Sequence, residues 1–135
     1  MMFRLFLVLL FLLVFAVFMR LFGQNKHPQT EFNYPVYEGS DLGITYTPSG
    51  CSFKVWSPSS DALRLHLYAA GEGGLPERTY DLLPDKSSGL WQTQISGDQK
   101  GRYYTIQIQR PNIGWIDETP DPYAKAVGVN GRRAQ

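Results

Sequence analysis

A chain of 135 residues holds one domain of ordinary size plus a targeting segment, and it is too short for a (β/α)8 barrel, which alone takes about 250 residues. With 13 Lys and Arg against 12 Asp and Glu the net charge is +1, and the basic residues run from Arg4 to Arg133 without forming a block, which excludes the concentrated positive face that a nucleic-acid partner requires. One cysteine, Cys51, permits no internal disulfide, and His27 and His66 lack metal-ligand spacing, so neither metal nor cofactor is expected and a hydrophobic core must carry the fold.

Residues 5–19, RLFLVLLFLLVFAVFMR with its flanking Arg4 and Arg20, form an unbroken apolar run of fifteen. This length lies at the upper limit of a signal-peptide core and short of the roughly 20 residues that span a bilayer comfortably. The run is expected to be a hydrophobic helix, and residues 1–22 a signal peptide or a membrane anchor that places the protein at the cell envelope. Val14, Phe15 and Ala16 are the only small-residue cleavage site, and in the uncleaved case Arg20 snorkels while Leu21 and Phe22 extend the run. Residues 23–35, rich in Gln, Asn and Pro, read as a linker.

From Tyr37 onward the pattern has period two, in short runs separated by Gly, Pro, Ser and Asp clusters about every ten residues. Cys51, Phe53 and Val55 alternate with Ser52 and Lys54. Leu63, Leu65 and Leu67 alternate with Arg64 and His66; Tyr104, Ile106 and Ile108 alternate with Thr105 and Gln107. The apolar sets predict core faces, with Arg64, His66 and Thr105 toward solvent. Weaker strands are expected at 43–46, 79–83, 90–95 and 115–117. Seven strands predict an all-β, immunoglobulin-like antiparallel sandwich over residues 36–127.

Acid–base chemistry between paired carboxylates has one adjacent candidate, Asp117 and Glu118, but neighbours on a strand point to opposite faces and the pair reads as a solvated edge or turn. Cys51 heads an inward-facing set and reads as a buried, inert thiol. No catalytic residue is expected. Six of the eight phenylalanines precede Gly23, so the rest of the chain draws its aromatic character from tyrosine and tryptophan. These rings stack on sugar faces while offering a polar handle. Trp56 and Trp91 are expected in the core or in inter-domain packing. Trp115, which follows Asn112, Ile113 and Gly114 at the start of the last strand, is the candidate sugar platform.

The string Tyr37-Glu38-Gly39-Ser40-Asp41-Leu42-Gly43-Ile44-Thr45-Tyr46, followed by Phe53-Lys54-Val55-Trp56-Ser57-Pro58, resembles the opening of the N-terminal module of type I pullulanases. The likeness continues through Leu65-His66-Leu67-Tyr68, Gly89-Leu90-Trp91 and Lys100-Gly101-Arg102-Tyr103-Tyr104-Thr105. Its most specific part is Asp121-Pro122-Tyr123-Ala124-Lys125-Ala126-Val127-Gly128-Val129-Asn130-Gly131. Phe-x-Val-Trp-x-Pro is shared more widely among isoamylase-like N-terminal domains of carbohydrate-binding module family 48.

The resemblance implies a β-sandwich placed before a glycoside hydrolase family 13 barrel that cleaves α-1,6 linkages in pullulan, glycogen and starch. It implies weak α-glucan binding with Trp115 on the sugar, and a docking surface for the barrel at Trp56, Trp91 and Tyr123. The family's catalytic residues lie beyond this chain, so residues 128–135 are expected to begin a linker to a missing catalytic domain. A freestanding envelope sandwich that binds another protein is the alternative.

Overall fold

The computed structural model describes Phe15 and residues 32–135, which fall in two units, 1–33 and 34–135. In the first unit Phe15 is helical and exposed; the leader expected over 1–22, and most of the linker, otherwise lie outside the described residues. Among the described residues no helix is long and apolar enough to cross a membrane.

The second unit contains strands β1 Gly43–Thr47, β2 Gly50–Trp56, β3 Ala62–Tyr68, β4 Arg78–Asp81, β5 Leu83–Asp85, β6 Leu90–Ser96, β7 Tyr103–Arg110 and β8 Gly114–Trp115. They form two antiparallel sheets. Sheet A runs β1-β2-β6-β5 and sheet B runs β4-β3-β7-β8. The alternation seen in the sequence sets the register: Leu63, Leu65 and Leu67 lie opposite Ile108, Ile106 and Tyr104. Phe53 of sheet A meets Tyr104 of sheet B edge to face, ring centroids 4.9 Å apart, and Cys51, Leu82, Trp91 and Ile95 complete the interior. The all-β sandwich is therefore as expected. Tyr104 donates its hydroxyl to the buried carboxylate of Asp121 at 2.8 Å. Burial first, then the Asp121 charge, pushes that phenol far up, so it remains a donor.

Four expectations are corrected. The strand expected over 79–83 is two strands: β4 pairs with β3 in sheet B, and β5 pairs with β6 in sheet A. The crossing is at Leu82, whose side chain is buried and whose N–H donates to the Leu63 carbonyl at 2.9 Å. Pro84, with no N–H to give, suits the short outer strand β5. Ile108 is half-buried rather than interior. His66 and Thr105, expected toward solvent, are buried at 9% and 3% exposure. Their faces still point away from the core, but a polar layer and the segment after β8 cover them.

That segment follows the open edge of β7. Ile116 N–H bonds the Ile108 carbonyl, Thr119 bridges Ile106, and Ala134 bridges Tyr104. Ala134 is fully buried, and Gln135 N–H bonds the Ala126 carbonyl at 2.8 Å. Packing thus continues past residue 127, through the stretch expected to start a linker.

Candidate functional site

The outward positions of β3 and β7, with the ends of β4 and β8, make a polar surface on sheet B. Trp115 lies opposite Gln109 at the C-terminal end of β7 and is half-buried. The Arg64 guanidinium sits over the indole, 4.2 Å from its centroid, and its Nε donates to Asp81 at 2.9 Å. A sugar stacking on Trp115 must use the other face of the ring or displace a guanidinium that is tethered by a carboxylate and a cation–π contact.

The middle of the surface is a hydrogen-bonded chain. Gln107 gives its amide N–H to the Ile116 carbonyl at 3.1 Å, which orients its Oε1 toward His66 Nε2, also at 3.1 Å. An amide oxygen only accepts, so Nε2 carries the imidazole proton and Nδ1 accepts from the Thr79 hydroxyl at 2.9 Å.

At the other end Glu118 Oε2 accepts from both Tyr68 and Thr105 at 2.5 Å. Burial pushes this carboxyl up, but the two hydroxyl donors, with smaller help from His66 and Arg133, outweigh it and hold Glu118 below the ordinary range. It is an acceptor, not a proton donor, at neutral pH. Arg133 stacks on Tyr68, 3.5 Å from the ring centroid, and bonds the Ala70 carbonyl at 2.7 Å. The loop after β3 and the C-terminal segment touch through backbone: a Cβ on Gly128 would lie 2.8 Å from Gly71 Cα. Between them opens a cavity of about 480 Å³ lined by Glu72, Thr105, Glu118, Arg132 and Arg133.

The remaining aromatic candidates are Trp91, Trp56 and Tyr123. Trp91 is interior and donates its indole N–H to the Ser57 carbonyl at 2.9 Å, so it adds nothing to a surface. Trp56, 40% exposed, ends β2 on sheet A, with Tyr34 edge-on at 6.5 Å and the Pro35 carbonyl accepting from its indole. Tyr123 is exposed in a turn whose N–H is held by Asp121. Of the three, Trp91 is thus buried, while Trp56 and Tyr123 are exposed. Arg64, Gln107 and Arg133 were missed as site residues, and Glu118 was weighed only as half of a carboxylate pair; for Arg64 and Gln107 the polar position in the alternation was the available signal. Burial raises the Cys51 thiol, so a nucleophilic role has no support. No group that would hold a metal ion occurs among the described residues.

Residues 41–124 match the family model of carbohydrate-binding module 48 (isoamylase N-terminal domain). The pullulanase of Bacillus subtilis (strain 168) is 33% identical over 102 residues, which are 76% of this chain and 13% of that protein. The pullulanase of Paenibacillus barengoltzii, in its complex with maltohexaose and α-cyclodextrin, superposes with a TM-score of 0.68 at 35% identity, over 73% of this chain and 15% of that one. The pullulanase of Anoxybacillus sp. LM18-11 gives a TM-score of 0.64 at 38% identity, over 73% and 13%. The matched stretch is a small share of those enzymes and does not include a catalytic barrel. A sandwich of this topology, matched over most of its length to one module, settles the family: the chain belongs to carbohydrate-binding module 48, the isoamylase N-terminal domains.

Proposed function

We propose that this module binds α-glucan weakly through the outer face of sheet B, with Trp115 as the stacking ring, as part of a pullulanase-type debranching enzyme whose catalytic barrel is its partner in the same polypeptide. The observation that carries the reading is the continuous polar surface from Trp115 through Arg64 and Gln107 to the cavity at Glu118 and Arg133. Bidentate donors, amides and an ionised carboxylate beside an indole are the groups that bind sugar hydroxyls while a ring plane takes the C–H face. The maltohexaose complex of the Paenibacillus relative points to the same class of ligand.

Titration with maltoheptaose tests it. Trp115→Ala should weaken binding roughly tenfold, about 1.4 kcal/mol, with the melting temperature nearly unchanged. Equal affinities of the two proteins would remove Trp115 from the site, and no binding by either would remove the glucan reading.

Barrel docking is proposed at Trp56, where Tyr34 and Val36 add exposed apolar surface on the opposite sheet. Envelope targeting by residues 1–22, as signal peptide or anchor, remains part of the proposal and rests on the apolar run alone.

A further inference from the structure

On the opposite sheet, at the end of β2 far from Trp56, three strands place Thr45, Ser52 and Gln94 side by side in register. Gly50 and Ser96 form the next row. Together with Thr47 and Ser49 they line a groove of about 290 Å³. Gly50 runs so close to β6 that a Cβ there would lie 2.6 Å from the Ile95 carbonyl oxygen, so this position of the groove carries no side chain.

No formal charge lines the groove. Charged groups close in sequence are engaged elsewhere, Asp98 by the Tyr46 hydroxyl at 2.7 Å and Lys54, two residues along β2, by Asp41. Among the described residues, the hydroxyls of Thr45 and Ser52 and the amide of Gln94 have no hydrogen-bond partner. An anion would find no countercharge here and an apolar ligand would strand these groups. What matches uncharged donors and acceptors around a concave floor is a neutral polyhydroxy ligand.

We propose that this groove is a second α-glucan contact, which takes a maltooligosaccharide segment by hydrogen bonds without aromatic stacking and makes the module two-sided. The sugar class rests on the function proposed above; the site itself does not, because it lies on the other sheet from Trp115 and shares no residue with that surface. Two contacts on opposite faces let one module hold two glucan segments, so that each raises the local concentration of the other.

The test is an amide chemical-shift titration of the full 135-residue chain with maltoheptaose, in phosphocholine micelles so that no detergent sugar competes. Saturating shifts are expected at the amides of 50–52 and 94–96 as well as around Gln109 and Trp115. Replacing both Ser52→Ala and Gln94→Ala, two side chains without a partner among the described residues, should weaken the sheet A response about five- to tenfold and leave the sheet B response unchanged. Shifts confined to sheet B would overturn the second site and leave the Trp115 reading standing. Shifts confined to sheet A would do the reverse. No shift on either face, or a sheet A response that ignores the double substitution, overturns the groove as a sugar contact.

Discussion

Glu118 shows how one side chain can tie separate parts of the chain together. Its Oε2 holds hydroxyls from β3 and β7, residues 50 and 13 positions away, and so clamps the segment after β8 onto sheet B. Because its carboxyl titrates lower in the folded protein than in the unfolded chain, its stabilisation is complete above the unfolded value of roughly 4.3 and is lost as pH falls through the lower folded value. Glu118→Gln should therefore lower the melting temperature at neutral pH and flatten its decline below roughly pH 4.3. An unchanged acid limb in a thermal-melt series would show that the two hydroxyls do not stabilise the ionised form.

At the scale of elements, β7 is the strand on which the rest of sheet B depends, since β3 lies on one side and β8, Thr119 and Ala134 share the other. Ile106, 2% exposed between Leu65 and Thr119, reports its inward face. Ile106→Ala should cost about 2–5 kcal/mol in denaturant unfolding; a loss under 1 kcal/mol would mean that the site collapses around the missing atoms. This face was legible in the sequence, because strict alternation of Tyr104, Ile106 and Ile108 leaves no other register. The burial of Thr105 and His66 was not legible. Their cover comes from Glu118, Thr79 and Gln107, and which chain segment lies over an outward face is a tertiary fact absent from local period. The same holds for residues 79–83, where Leu82 and Leu83 stand adjacent and only the crossing between sheets tells the buried one from the exposed one. Trp115 was singled out as a candidate platform by its place after a turn, whereas the groove on sheet A was invisible, since serines, threonines and glutamine on an outward face carry no pattern of their own.

The crossing at Leu82 divides the whole molecule in a way that neither sheet does. Before it come the hairpins β1-β2 and β3-β4, one in each sheet; after it come β5-β6 and β7-β8, again one in each. Strand pairing joins the two halves where β2 pairs with β6 and β3 with β7, at the centre of the sheets. Each half alone would leave an apolar face and an unpaired central strand edge open to water, and two hairpins of this size do not stand by themselves. Residues 34–82 and 83–135, made as separate peptides, should each lack strand signal in circular dichroism and regain it when mixed in equal amounts. A half that folds alone would show that the crossing is not the seam. The architecture is thus that of a self-complementing pair joined by a single residue, and a cut at that joint converts one folding event into a bimolecular recognition event whose midpoint depends on concentration.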